Sequence, residues 1–181
     1  LDLFSGCGGF SYGFSKAGYE ILGFIENWNP AIATYRKNHP EAQHIGSDIL
    51  RVREENLLQL KGKVDVIIGG PPCQGFSLCG KRDPKDRRNQ LYKEFLRIVG
   101  ILLPQVVIIE NVRGIKSMKD SDGVRILDKI IHWLISLGYS VCYKILLASE
   151  YGVPQNRERM FIVGIRHNLF PIPEEKRKTV I

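Results

Sequence analysis

The segment LDLFSGCGGF, residues 1–10, joins a short apolar run to the start of a predicted helix through a turn rich in glycine. The glycines would let the backbone turn tightly and approach a ligand, as in nucleotide-binding folds. The spacing differs from G-x-G-x-x-G because Gly8 and Gly9 are adjacent and Phe14 is large. The segment favours a nucleoside ligand without a diphosphate, and a tight turn with no ligand is the alternative.

Outward from this segment, short apolar runs alternate with helix-length amphipathic stretches, the pattern of an α/β domain with a mainly parallel sheet. The clearest helix is predicted over residues 124–137, where apolar side chains recur at helical spacing before Gly138. The segment EYGVPQNRER, residues 150–159, indicates a turn, so we expect the last two strands to form an antiparallel hairpin at one edge. The strands are predicted at residues 1–4, 21–26, 43–47, 64–69, 105–111, 140–148 and 160–165.

The composition suits one globular domain, with 44% hydrophobic and 25% charged residues in a chain of 181. A formal charge of +7 favours a nucleic-acid partner, although a basic face that meets only solvent fits it equally. The cysteines at 7, 73, 79 and 142 lack the paired spacing of a zinc site. The spacing of these cysteines predicts no metal site. We find no signal peptide or long apolar span, and therefore expect no membrane partner and a reducing compartment, either cytoplasm or nucleus.

Two acids follow predicted strands at the edge of the sheet where parallel strands present their carboxyl ends. Glu26 ends the run EILGFIE and is placed to accept hydrogen bonds from ribose hydroxyls. Asp48, past the third strand, could bind a base amine in the same pocket. Each acid could equally be the N-cap of a helix.

The segment GGPPCQGFS, residues 69–77, carries Cys73 from a buried strand into a stiff loop. Prolines remove backbone freedom before the thiol, and Gly75 permits an otherwise forbidden turn after it. Such stiffness suits a nucleophile that must meet an electrophile at one angle. A buried structural cysteine is the alternative.

Glu110 emerges from VVIIENV, the most hydrophobic strand of the chain. A carboxyl group there is either desolvated and able to hold a proton near neutrality, or paired with a cation. Arg157 and Arg159 in the following turn are the candidate cations. A thiol, a carboxyl group, an arginine and a nucleoside pocket at neighbouring strand ends indicate an enzyme site.

Four segments together resemble the signature blocks of the C5-cytosine DNA methyltransferases. They are DLFSGCGGF at residues 2–10, GGPPCQGFS at 69–77, ENV at 110–112 and QNRERMFIVG at 155–164. The resemblance covers nearly the whole chain and implies a Rossmann-like, S-adenosylmethionine-dependent methyltransferase fold. It also implies double-stranded DNA as the partner and a target-recognition part, in a continuation of the chain or on a second polypeptide.

The resemblance assigns roles at the catalytic positions. Cys73 would attack C6 of a flipped cytosine while Glu110 hydrogen-bonds and protonates N3. Arg159 would contact the flipped base, Arg157 would brace the pocket and Gln155 would lie nearby.

The resemblance also assigns the cofactor-binding residues. Phe4 would pack on the adenine of S-adenosylmethionine, residues 5–9 would line its methionine part, and Glu26 would take the ribose. The full set of expected cofactor residues is Phe4, Ser5, Gly6, Cys7, Gly8, Gly9, Glu26, Asn27, Asp48, Ile49 and Pro71.

Other features set the limits of this interpretation. Trp28 stands where many relatives carry an acid, and the basic segment SLCGKRDPKDRRNQ, residues 77–90, is either a DNA-closing loop or a solvated one. Gly75 follows Cys-Gln where a tRNA-modifying branch carries proline, which favours DNA. A tRNA methyltransferase and a non-catalytic nucleic-acid-binding homologue are the alternatives. We expect residues 1–168 to form the catalytic domain and residues 169–181 a linker towards the target-recognition region.

Overall fold

The computed structural model describes residues 1–72 and 91–166. Cys73, the basic segment of residues 77–90 and the expected linker of residues 169–181 therefore lie outside the described residues. The strands are β1 (Asp2–Leu3), β2 (Gly23–Ile25), β3 (Gln43–Gly46), β4 (Val66–Gly69), β5 (Val106–Val112), β6 (Tyr139–Leu147) and β7 (Glu158–Arg166). The helices are α1 (Gly9–Lys16), α2 (Asn29–Asn38), α3 (Glu54–Leu58), α4 (Leu91–Leu102) and α5 (Ile126–Ser136), with 3-10 turns at Ile49–Arg51, Arg113–Lys116 and Ala148–Tyr151.

The strands form one sheet in the order β3-β2-β1-β4-β5-β7-β6. The pairs among β1 to β5 are parallel, and β7 runs antiparallel between β5 and β6. The predicted α/β fold class, with its C-terminal antiparallel hairpin, is confirmed. From β1 the strand order runs outward through β2 to β3, and from β4 it runs in the opposite direction through β5. The carboxyl ends of β1 and β4 therefore flank a crevice of the kind in which α/β proteins bind ligands.

The larger part of the core lies between the sheet and helices α4 and α5. Strand β5 buries Val107 and Ile109 on one face, and both belong to the same apolar cluster as Phe95 of α4 and Ile130 of α5. The predicted helix over residues 124–137 is α5, which ends before Gly138 because that residue adopts the left-handed conformation, at φ 85°. Burying one face of β5 in this way fixes which side chains remain on the other face, and Glu110 is among them.

Helix α2 packs on the outer strands through a second, smaller apolar cluster. Its Tyr35 is fully buried and stacks on Phe24 of β2 with ring centroids 3.9 Å apart. Ile32, one turn earlier on α2, completes the cluster. This packing holds α2 beside the crevice.

Among the described helices, the longest apolar stretch falls short of what a membrane crossing requires. This statement concerns residues 1–72 and 91–166.

Candidate active site

A cavity of about 300 Å³ opens at the carboxyl ends of the parallel strands. Five of the expected cofactor residues line it, namely Phe4, Glu26, Asn27, Asp48 and Ile49. Its walls also contain residues that the sequence did not single out, namely Ile25, Ser47, Gly70, Pro72 and Leu91. Most of these adjoin predicted positions or strand ends, and that placement is the signal that could have identified them.

Backbone N–H groups fix the carboxylate of Glu26 within the cavity wall. Gly6 N donates to Oε2 at 2.8 Å, and the amides of Asn27 and Trp28 both donate to Oε1 at 2.9 Å. These bonds tie the second strand to the glycine turn of the first. The side chain of Trp28 is exposed, at the N-cap of α2.

The turn after β1 has an unusual backbone. Gly6 and Gly8 adopt positive φ angles of 54° and 88°, and Phe4 does so at 60°, where a side chain is disfavoured. A non-glycine residue in this region costs energy that the surrounding fold must supply, and such residues cluster at functional sites. The strained residue is the aromatic one that lines the cavity.

The remaining residues expected at the cofactor do not line this cavity. They are Ser5, Gly6, Cys7, Gly8, Gly9 and Pro71. Ser5 is nonetheless buried, and its Oγ has no hydrogen-bond partner among the described residues. A buried hydroxyl without a partner is uncommon and is readily explained by a ligand or water.

Asp48 combines the two roles that the sequence left open. Its Oδ1 accepts a hydrogen bond from Leu50 N at 3.0 Å and caps the 3-10 turn Ile49–Arg51, while the residue also lines the cavity. Glu26, by contrast, is not the N-cap of α2, a position that Trp28 occupies.

Glu110 forms an ion pair with Arg159, with Glu110 Oε1 3.0 Å from Arg159 Nε. Of the two alternatives for Glu110, the structure therefore shows the paired carboxylate. Strands β5 and β7 pair Glu110 with Phe161 and Val112 with Arg159, so Glu110 and Arg159 are diagonal neighbours on one sheet face. About a quarter of each side chain is exposed, which leaves the pair accessible from the crevice.

Gly70 connects this pair to the cavity. It belongs to the cavity wall, and a Cβ placed on it would lie 3.1 Å from Glu110 Oε2. The absence of a side chain at this position lets the carboxylate approach the cavity.

Asn111 is a site residue that the sequence analysis did not single out. It is buried, its Nδ2 donates to Pro71 O at 3.1 Å, and its Oδ1 accepts from Val112 N at 2.8 Å. It thus anchors the proline segment two residues before Cys73. The available signal was a polar residue at a buried position of the strand alternation.

Arg157 and Gln155 lie in the loop before β7 and are exposed. The Arg157 carbonyl accepts from Ala148 N at 3.0 Å, which closes the loop onto the end of β6. No contact in the described residues joins either side chain to Glu110, so their expected roles stay predictions.

A buried polar chain supports the glycine turn from inside. Ser11 Oγ donates to Asp2 Oδ2 at 2.6 Å and lies 2.6 Å from Tyr35 Oη; its one hydrogen is used on Asp2, so the tyrosine donates to the serine. Burial raises the pKa of Asp2 to about 7, against the opposing effect of the Ser11 hydrogen bond.

Comparisons with known proteins agree with this geometry. The family model described as C-5 cytosine-specific DNA methylase matches residues 1–180. The chain is 46% identical over 166 residues to the Type II methyltransferase M.DdeI of Desulfomicrobium norvegicum, covering 92% of this chain and 40% of the relative. It is 43% identical over 168 residues to the Type II methyltransferase M.AgeI of Thalassovita gelatinovora, covering 91% of this chain and 38% of the relative.

A solved structure extends the likeness to the fold. An Escherichia coli prophage protein assigned as a DNA modification methyltransferase superposes with a TM-score of 0.79 at 37% identity, covering 93% of this chain and 46% of that one. The chain thus spans about half the length, or less, of these relatives. Because the family model matches nearly from end to end and a Type II methyltransferase is 46% identical over 92% of the chain, the chain belongs to the C-5 cytosine-specific DNA methylase family.

Proposed function

We propose that the chain is the catalytic part of a DNA (cytosine-5)-methyltransferase, which transfers a methyl group from S-adenosylmethionine to C5 of a cytosine flipped out of double-stranded DNA. The observation that carries the proposal is the position of Gly70, which borders both the cavity and the Glu110 carboxylate. A nucleoside cofactor in the cavity and a cytosine at Glu110 would therefore be neighbours. Family membership supports the same assignment.

The cavity suits S-adenosylmethionine. Three N–H donors occupy most of the acceptor capacity of Glu26, and Oε2 has only one of them, so we assign the ribose hydroxyl to Oε2. Phe4 would pack on the adenine, beside Asp48 and Ile49. The residues Ser5, Gly6, Cys7, Gly8 and Gly9 would take the methionine part, for which the unpartnered Ser5 Oγ offers a hydrogen-bonding group. When bound, the cofactor supplies an electrophilic methyl group on sulfur.

Cys73 acts as the nucleophile in this proposal. Its thiolate forms a bond to C6 of the cytosine, and the electrons of the C5–C6 double bond shift through C4 towards N3. N3 then takes a proton from Glu110, which would carry it on Oε2, the oxygen that Arg159 does not bind. C5 thereby becomes nucleophilic. After methylation a base removes the C5 proton, the C5–C6 double bond re-forms as the Cys73 thiolate leaves C6, and N3 returns its proton to Glu110.

Arg159 orients the acid in this scheme, since its guanidinium binds Glu110 Oε1 and leaves Oε2 towards Gly70. We further assign Arg159 to the flipped base, and Arg157 with Gln155 to the wall of the base pocket. Asn27 and Pro71 would complete the cofactor side.

DNA is favoured over tRNA as the substrate. The matching family is described by its action on DNA, and the relatives compared above are named Type II methyltransferases or a DNA modification methyltransferase. The net charge of +7 suits a polyanion. We assign residues 1–168 to the catalytic domain and residues 169–181 to a linker, with target recognition supplied by further chain or a second polypeptide.

Covalent trapping tests the proposal. The chain, with any natural continuation, is incubated with S-adenosylmethionine and DNA containing 5-fluorocytosine, and a denaturant-resistant adduct is sought. Because fluorine at C5 is not removed as a proton is, the Cys73–C6 bond should persist after methylation. Peptide mapping should place the adduct on Cys73.

Two variants sharpen the result. Cys73→Ala should abolish the adduct, whereas Cys142→Ala, which removes an exposed thiol on β6, should leave it intact. The proposal is falsified if Cys73→Ala retains methyl transfer. Adducts on RNA but not on DNA would instead establish the tRNA alternative.

A further inference from the structure

Helix α2 contacts both halves of the proposed cofactor site, one at each end. Immediately before its first residue, the amides of Asn27 and of the N-cap Trp28 bind Glu26. At its end, Asn38 Nδ2 donates to Cys7 O at 3.0 Å, and His39 Nε2 lies 3.2 Å from Gly8 O. A carbonyl only accepts, so His39 carries its proton on Nε2 in this contact.

The contact with the glycine turn is also one of close packing. A Cβ on Gly8 would lie 2.9 Å from ring atoms of both His39 and Tyr35, so the backbone of the turn lies directly against α2. Tyr35 is itself held by Ser11, and through it by Asp2. The surface that receives Gly8 is therefore rigid.

The turn depends on outside support for its shape. Phe4, Gly6 and Gly8 all have positive φ angles. Among the described residues, a single backbone hydrogen bond closes the turn on itself, from Gly8 N to Ser5 O at 3.0 Å. Cys7 O receives its hydrogen bond from the side chain of Asn38. Loss of that donor would free the carbonyl next to the residues assigned to the methionine part.

We propose that Asn38 and His39 are positioning residues that set the conformation of the Cys7–Gly8 turn for the amino-acid end of the cofactor. The inference rests on the proposed function, because it assigns that end of S-adenosylmethionine to the turn. Glu26, at the other end of α2, is held on Oε1 by the amides of Asn27 and Trp28 and on Oε2 by the Gly6 amide of the turn, whereas Asn38 and His39 contact the carbonyls of Cys7 and Gly8. Two of the three bonds to Glu26 are thus outside the turn, and the adenosine end should be much less sensitive to both residues than the amino-acid end.

The experiment compares two ligands in the whole protein. S-adenosylhomocysteine has the amino-acid end and 5′-methylthioadenosine lacks it. Asn38→Asp keeps the shape and removes the donor, and Asn38→Ala removes the whole amide. The matched control is Thr34→Ala, since Thr34 is exposed on the same helix and, among the described residues, its hydroxyl donates within that helix, to Pro30 O at 3.0 Å.

We expect both Asn38 variants to weaken S-adenosylhomocysteine binding about fivefold or more, the factor that one ordinary hydrogen bond is worth. The affinity for 5′-methylthioadenosine should change less than about twofold, as should both affinities in the control. His39→Phe, which keeps a ring against Gly8, should likewise weaken the binding of S-adenosylhomocysteine and leave that of 5′-methylthioadenosine nearly unchanged. Equal losses for both ligands, or no loss, would overturn the inference.

Amide hydrogen exchange of the ligand-free protein gives a second readout. Exchange at Gly8, whose amide closes the turn onto Ser5 O, should accelerate in the Asn38 variants and not in Thr34→Ala, and exchange at Gly6, whose amide is held by Glu26, should change less. Unchanged exchange at Gly8 would contradict the positioning role whatever the binding data show. If the unaltered protein bound neither ligand, the proposed function would fail and with it the assignment to a cofactor, while the exchange comparison would still decide whether Asn38 holds the turn.

Discussion

Glu110 and Arg159 meet diagonally across two antiparallel strands, with 3.0 Å between Oε1 of the one and Nε of the other. The strands β5 and β7 come from distant parts of the chain, so the pair exists only once the sheet is complete. About a quarter of each side chain is exposed, and the pair is held in place by β5, which buries Val107 and Ile109 in the core. The proposed proton transfer from Glu110 to N3 of a cytosine requires a carboxyl group that is both accessible and fixed in this way.

Replacing Glu110 by glutamine should lower methyl-transfer turnover about 100-fold or more, because the variant keeps the shape but cannot supply a proton. Steady-state kinetics on the whole protein would measure this. Glu158→Gln is the matched control, since Glu158 also forms a strand-borne ion pair, 2.9 Å from Arg113, at a more exposed position. The control should stay within about twofold of the unaltered enzyme; similar losses in both variants would remove the proton-transfer role from Glu110.

Asn111→Ala should cost about 1–3 kcal/mol of unfolding free energy and also lower activity, because it removes the two hydrogen bonds that the Asn111 side chain forms with Pro71 O and Val112 N. Gln105→Ala offers a comparison at the opposite end of β5, where Gln105 Nε2 donates to Asp65 Oδ1 at 3.1 Å on the exposed surface. Chemical denaturation and turnover would be measured for both. A loss of stability in Asn111→Ala with full activity would show that the anchored proline segment does not matter for Cys73.

Gly70→Ala should reduce turnover and cofactor affinity with little loss of stability. Its new methyl group would meet Glu110 Oε2 at 3.1 Å and intrude on the cavity, whereas its φ is not in the left-handed region. Gly114→Ala is the control, since its methyl would meet only the flexible end of Met118 at 3.4 Å. Calorimetric binding and kinetics would distinguish the two, and normal kinetics for Gly70→Ala would argue against adjacent cofactor and base sites.

Stability should fall as the pH rises from about 4 to about 7 because of Asp2. Burial raises its folded-state pKa to about 7 from an ordinary value of 3.8, so the folded protein binds a proton in this window that the unfolded chain has released. The contribution is complete below pH 4 and is lost as the pH passes 7. Denaturation of the unaltered protein and of Asp2→Asn across this range should show a weaker pH slope in the variant; parallel slopes would assign the dependence to other groups.

The strand ends were predictable because apolar runs and glycines mark them locally. The observed strand ends differ from the predicted ones where the backbone conformation or the main-chain pairing does not follow the apolar pattern. The first strand stops at Leu3 rather than residue 4 because Phe4 turns to a positive φ, and β7 begins at Glu158 because main-chain pairing with Leu147 does not need an apolar side chain.

The supporting contacts of the site were not predictable in the same way. Asn38 and Cys7 are 31 positions apart and Asn111 and Pro71 are 40, so neither contact leaves a local pattern. Each contact depends on where the helix or strand places a side chain near its carboxyl end. Only the assembled sheet brings these partners together.

Helix α2 spans ten residues and is anchored at both ends, which makes its length a fixed distance within the site. Inserting one residue would turn its last side chains by about 100° and move them about 1.5 Å along the axis. Asn38 would then point away from Cys7 while the backbone at Glu26 kept its place. Evolutionary change in this helix should therefore proceed by substitution, and insertions or deletions should be confined to the segments on either side of its two anchors.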